Sequence, residues 1–176
     1  MKQEILFSGI GGQGVITIGE IVCYAAAKAG YNTTFVPFYG SEKRGGRTMC
    51  NVVISDEVES PIISGADVML IMDERSMCDY QEMVEEDGVL IYNSDMVGME
   101  PNCKCRAIHR VPMNELAMEL GNAKVANIIA LGCAAKFMPM IPYEMIEEKV
   151  KENFSSKPKL IDINLKALKK GYDMLG

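Results

Sequence analysis

The 176-residue chain contains no tryptophan and a single histidine, His109. A histidine-based metal site would therefore need carboxylates or thiols to complete it. His109 lies in the strand-like run Ala107-Ile108-His109-Arg110-Val111. No G-x-S-x-G elbow or similar setting offers it a nucleophile, so it reads as a strand residue facing solvent. The six cysteines include no C-x-x-C pair, the spacing on which iron–sulfur and zinc sites are built, and no metal site is expected. Only Cys103-Lys104-Cys105 is close. Alternate strand residues point the same way and could hold a soft metal, but nothing nearby supplies the remaining ligands. Free thiols in a reducing compartment are the expectation. Fourteen methionines beside those thiols suit a chain seldom exposed to oxidants, as in anaerobic metabolism. No apolar run reaches membrane-spanning length, and the amino terminus opens on a strand rather than a signal peptide; no membrane partner and a cytoplasmic location are expected. A formal net charge of -6 argues against nucleic-acid binding.

What the chain has is one glycine-rich turn in a telling place. Gly9-Ile10-Gly11-Gly12-Gln13-Gly14 follows the apolar run Ile5, Leu6, Phe7. It precedes Val15, Ile18, Val22, Ala25 and Ala29, which step by three and four and predict a helix ending near Gly30. Strand, glycine turn and helix at G-x-G-x-x-G spacing let the backbone turn sharply and aim free N–H groups at a ligand. Three readings stay open: a dinucleotide site, a tight turn that only packs, and a surface that binds an anion or a partner. The NAD reading asks for an acid at the end of the second strand. That strand, Thr33 to Phe38, ends in Pro37-Phe38-Tyr39-Gly40, and the nearest acid, Glu42, lies beyond it. There a second glycine loop, Lys43-Arg44-Gly45-Gly46-Arg47, forms a basic island in an acidic chain. Gly45-Gly46 lets the backbone beside Arg44 approach a neighbour.

The rest reads as one α/β domain. Thr48 to Ser55 is β-branched and strand-like. Val68 to Met72, a polar helix from Arg75 to Glu86, a turn at Asp87-Gly88 and Val89 to Tyr92 make a right-handed βαβ unit. Asp73-Glu74-Arg75 stands at the carboxyl end of the Val68 strand, where Asp73 or Glu74 caps the helix. Cys105 to Val111 is a further strand, and a short helix carrying Leu116, Ala117 and Leu120 stops at Gly121. Val125 to Met138 is apolar on nearly every side, so it is buried in the domain or covered by another chain. Two amphipathic helices follow, one from Pro142 with Tyr143, Ile146, Val150 and Phe154 on one face, the last with Ile161, Leu165, Leu168, Tyr172 and Leu175. The expected fold is α/β: a Rossmann-like, mostly parallel sheet flanked by helices, with a helical carboxyl-terminal part.

In order along the chain stand Ser8 to Gly14, Glu42 to Arg47, Ser60-Pro61, Val89 to Ser94, Leu120-Gly121-Asn122 and Val125 to Gly132. This ordered set resembles the gamma subunit of 2-oxoacid:ferredoxin oxidoreductases, and the resemblance covers residues 1–176 as a single gamma-type domain. Many relatives have Pro where this chain has Ser41, which loosens the entry into the Arg-Gly-Gly loop. The resemblance implies a non-autonomous subunit of an enzyme that decarboxylates a 2-oxoacid to an acyl-CoA and passes electrons to ferredoxin. Pyruvate, 2-oxoglutarate, 2-oxoisovalerate and indolepyruvate are the family's substrates, with the 2-oxoglutarate and 2-oxoisovalerate branches nearest in the Asn93-Ser94 and Arg-Gly-Gly features. It further implies alpha and beta partners, and in some members a ferredoxin-like delta chain. Those partners carry thiamine diphosphate and the iron–sulfur clusters, and this chain carries no cofactor of its own. The gamma chain assembles with them and helps enclose coenzyme A. Gly9, Gly11, Gly12, Gln13, Gly14, Arg44, Gly45 and Gly46 are the residues expected to form the cofactor-binding or interface loops, with no catalytic residue on this chain. Isolated, the subunit is expected to self-associate through apolar surface. The contrasting reading is a free-standing Rossmann-like nucleotide-binding protein.

Overall fold

In the computed structural model, which describes residues 1–42 and 44–176, six strands form one sheet. The elements run β1 Lys2–Ile10, α1 Val15–Lys28, β2 Asn32–Tyr39, β3 Arg47–Ser55, β4 Ala66–Ile71, α2 Glu74–Tyr80, β5 Val84–Asn93, β6 Ala107–Val111, α3 Met113–Glu119, α4 Ala126–Ala135, α5 Tyr143–Asn153 and α6 Ile161–Met174. The spatial order is β2-β3-β1-β4-β5-β6. β1, β4, β5 and β6 are parallel neighbours, whereas β3 runs antiparallel to both β1 and β2. The sheet is mixed and mostly parallel, as expected.

Ile5, Leu6 and Phe7 are all fully buried because β1 is covered on both faces, which is why its sequence is a continuous apolar run rather than an alternating one. Ile5 and Phe7 join the larger core with α1, α4 and the carboxyl-terminal helices; Leu6 joins a smaller one with Met77 of α2 and Ile63 and Val97 of the long connections.

Two expectations are corrected here. The polar helix expected to reach Glu86 ends at Tyr80 in a short 3-10 turn, and Val84 already pairs with Ala66. Asp87-Gly88 is therefore no turn between elements. It lies inside β5, where the register against β4 shifts, and a Cβ on Gly88 would stand 2.7 Å from the Ala66 carbonyl; an isolated strand glycine here marks an irregularity with close backbone approach. The last strand starts at Ala107, not Cys105. Of the two readings of the all-apolar segment, burial within the domain is the one seen. Nine of the residues of α4 are buried, between the sheet, α3 and α6, so α4 leaves no apolar face for another chain.

Candidate binding site at two glycine-rich loops

Gly14 caps the amino terminus of α1 in the left-handed conformation with φ 72°, and no side chain caps the helix. A Cβ there would collide with the Asn127 amide, whose Nδ2 donates to the Gly14 carbonyl at 3.3 Å. Gly9 is equally constrained: a Cβ would lie 2.5 Å from Gln13 Oε1 and 2.8 Å from the Val15 side chain. Gln13 is thereby held as a clamp across the turn. Its Oε1 accepts from the Ile10 N–H at 2.8 Å and its Nε2 donates to the Met72 carbonyl at 3.0 Å, tying the turn to the end of β4. Gly12 has φ 93° with nothing within 4 Å of a built Cβ. Its glycine is required by the backbone dihedral and not by a close neighbour.

The second loop closes the β2–β3 hairpin. The Gly40 N–H donates to the Arg47 carbonyl at 2.7 Å, and the Gly11 N–H of the first loop donates to the Gly46 carbonyl at 2.9 Å. The two loops expected to share a surface are thus hydrogen-bonded to each other. They are not exits of adjacent parallel strands. β3 reverses direction and brings the hairpin loop against the carboxyl end of β1. Gly9, Gly11, Gly12, Gln13 and Gly14 on one loop and Arg44, Gly45 and Gly46 on the other are brought together. Lys43 of the basic island lies outside the described residues.

Between the loops opens a cavity of about 730 Å³, bounded by Gly11, Gly12, the first turn of α1 through Thr17, Tyr39, Arg44 and Thr48. That volume is in the range of small-molecule sites. Free N–H groups of the α1 amino terminus and Arg44 make it suited to an anion. Glu42, also on its wall, is held as a carboxylate: hydrogen bonding to its own backbone and then to Arg75 holds its carboxyl below the usual range, and Arg75 Nη2 stands 3.2 Å from Glu42 Oε1. Arg47 is engaged with Asp79 at 2.8 Å. Among the described residues, Arg44 has no ion-pair partner, and it is exposed. At the same rim Tyr39 is 69% exposed, whereas its strand neighbour Phe38, 42% exposed, does not line the cavity.

Asn127 and Tyr39 were not singled out in the sequence. A lone polar residue inside Val125 to Gly132, otherwise apolar, was the available signal for Asn127. Of the other residues considered, Asp73 caps α2, accepting from the Ser76 and Arg75 N–H groups at 3.3 and 3.1 Å. His109 does not simply face solvent: its ring stacks on Phe137 with centroids 5.1 Å apart, and partial burial, then the nearby Arg106, holds its pKa below the ordinary value. No cluster of three metal-ligating side chains occurs among the described residues, so this chain's own groups do not fit an iron–sulfur cluster.

The order β2-β3-β1 separates this site from a dinucleotide fold. The strand beside β1 on that flank is antiparallel, so its carboxyl end, Ser55, lies at the opposite edge of the sheet from the glycine turn. No acid can reach a ribose from there in the usual way. The class defined is a Rossmann-like α/β domain whose glycine turn is joined to an arginine-bearing hairpin. It belongs to the pyruvate ferredoxin/flavodoxin oxidoreductase family, whose model matches residues 4–174. The chain is 36% identical to the ketoisovalerate oxidoreductase subunit VorA of Methanothermobacter marburgensis, over 98% of this chain but 36% of that one. It is 31% identical to the 2-oxoglutarate synthase subunit KorC of Methanocaldococcus jannaschii, over 99% of this chain and 94% of that one. Its fold matches the keto/oxoacid ferredoxin oxidoreductase gamma subunit of Geobacter sulfurreducens with a TM-score of 0.83 and 31% identity, over 98% of each. The chain therefore spans about a third of the length of VorA and nearly all of KorC.

Proposed function

We propose that this chain is the gamma-type subunit of a 2-oxoacid:ferredoxin oxidoreductase, acting with alpha and beta chains that hold thiamine diphosphate and iron–sulfur clusters. The observation that carries this reading is the full-length relation to KorC and to the Geobacter gamma subunit. The role follows from the site. The joined loops offer an arginine, helix N–H groups and an exposed tyrosine, a combination suited to an anion at a rim and a protein around it. Coenzyme A phosphates or a partner carboxylate would be held by Arg44 with the amides of the α1 amino terminus. The acyl transfer itself belongs to the partners, since no nucleophile–base pair is assembled among the described residues of the site.

The substrate is a 2-oxoacid of the 2-oxoglutarate, 2-oxoisovalerate or pyruvate type, in keeping with relatives that span this chain. Co-expression with the alpha and beta chains tests the reading: one stable complex should form, reducing ferredoxin only when a 2-oxoacid and coenzyme A are both present. The subunit alone should show no such activity. A chain that stays apart from those partners in a pull-down refutes the assignment.

A further inference from the structure

β1 and β4 are parallel neighbours, yet the helices that follow them leave on opposite faces of the sheet. Ile18 of α1 joins Ile5 and Phe7 in the larger core, and Met77 of α2 joins Leu6 in the smaller one. Connections that diverge in this way open a crevice outside the carboxyl ends of the two strands, and open α/β sheets hold their ligands there. The cavity between the glycine loops is not this crevice, because it lies on the β3 side of β1. A second cavity, of about 360 Å³, is. It is bounded by Gln13 in the turn after β1, Met72 after β4, Met96 after β5, Asn114 of α3, Lys124 in the turn before α4, and Asn127 of α4. With the larger cavity it shares Ile10, Gly11 and Gly12 as a common wall.

The polar groups of the crevice are held from behind. Asn93, fully buried at the end of β5, accepts the N–H groups of Met113 and Asp95 on its Oδ1, each at 3.2 Å, and donates from Nδ2 to Asn114 Oδ1 at 3.0 Å. The Asn114 oxygen is thereby committed and its Nδ2 donors are left over. Asn127 is fixed the other way round: its Nδ2 donates to the Gly14 carbonyl, which leaves its oxygen as an acceptor. Lys124 is exposed, and among the described residues it has no ion-pair partner and the crevice has no carboxylate on its walls. Ile10, Met72 and Met96 make the lining otherwise apolar.

A lysine beside amide donors calls for an anion. The Asn127 oxygen next to them disfavours a second negative charge, which selects a carboxylate over a phosphate. Methionine side chains, unbranched and adaptable, suit a hydrocarbon body. We propose that this crevice is a binding site for a short aliphatic carboxylate, whose charged end is held by Lys124 Nζ and Asn114 Nδ2 and whose chain lies against Met72 and Met96. The site is this chain's own, and it stands apart from both Arg44 and the enzyme assignment.

The test titrates the full chain, isotope-labelled at its methionine methyl groups, with pentanoate, followed by NMR; Met72→Leu and Met96→Leu identify the two signals. Both signals should move along one saturating curve. Pentanamide, of the same shape without the charge, should bind about tenfold more weakly or worse. Acetate, which lacks the chain, should also bind roughly tenfold more weakly, and inorganic phosphate should move neither signal. Lys124→Gln should weaken pentanoate roughly tenfold or more. Asn114→Asp keeps an acceptor for Asn93 but sets a negative charge against the ligand, and should abolish binding; unchanged signals from the buried methionines elsewhere show that either variant is folded. Movement that never saturates, pentanamide, acetate or phosphate matching pentanoate, or a Lys124→Gln chain that binds like the parent overturns the proposal.

Discussion

Gly132 of α4 and Gly171 of α6 sit reciprocally where the two helices cross: a Cβ on Gly132 would lie 2.1 Å from the Leu168 carbonyl oxygen, and one on Gly171 1.9 Å from that of Ile129. Each missing side chain faces the other helix's backbone, which cannot step aside as a flexible side chain could. This is how α4 stays buried on all sides in so small a domain.

Gly171→Ala should therefore destabilise the isolated chain by about 2 to 3 kcal/mol, the upper part of the range for overpacking. The midpoint of urea unfolding should fall accordingly. A midpoint within error of the parent's would mean the helices can separate freely and the crossing is not tight.

At the glycine turn the two mechanisms of constraint can be told apart. Gly12→Asn should cost less than Gly12→Val, since only the left-handed dihedral is at issue and Asn tolerates it best. Gly14→Ala should cost more than either Gly12 variant's asparagine, by roughly 1 to 3 kcal/mol, because it adds a clash with Asn127 to the strain. Thermal melts of the three variants check the ranking.

Arg44→Ala should leave the lone subunit's unfolding midpoint unchanged, as expected of an exposed residue with no ion-pair partner among the described residues. In the assembled enzyme it should weaken association or raise the coenzyme A requirement by about 1.5 to 3 kcal/mol, the worth of a charge-assisted bond, or roughly tenfold to a hundredfold. Complex yield, turnover and coenzyme A dependence all equal to the parent's would reduce Arg44 to a solvated charge.

His109 supplies a pH dependence whose sign is set by its environment. Its pKa in the folded chain is depressed from 6.5 by burial against Phe137 and by Arg106, so the unfolded chain binds the proton more readily. The contribution is fully present above pH 6.5 and is lost as pH falls through that value toward the folded pKa. His109→Gln should remove this part of the acid sensitivity, seen as a smaller drop in unfolding midpoint between pH 7.5 and pH 5.5.

Local signals read well from sequence where the chain's own periodicity set them. The strand, turn and helix around Gly9 to Gly14 follow from a continuous apolar run and a 3.6-residue stripe, and the carboxyl-terminal helices from theirs. What escaped depends on neighbours distant in the chain. The direction of β3 is invisible in Val52-Val53-Ile54, which suit a parallel or an antiparallel partner equally. Val84 to Gly88 looks helical and then turn-like until β4 imposes its shifted pairing. The contact of Asn127 with Gly14 spans 113 positions, and the ring on which His109 stacks, Phe137, belongs to the turn that follows α4.

The bond from Gly11 to Gly46 continues the pairing of β1 with β3, where Gly9 faces Thr48 and Ile10 faces Arg47: it is the next rung of that ladder. The distance between the glycine turn and the arginine loop is consequently counted out in strand residues, and a slip by one would turn every buried side chain of β3 to the wrong face. Residues 41, 42, 44 and 45 lie beyond that rung, outside both strands. Changes confined to the loop beyond it would leave the rung where the sheet puts it.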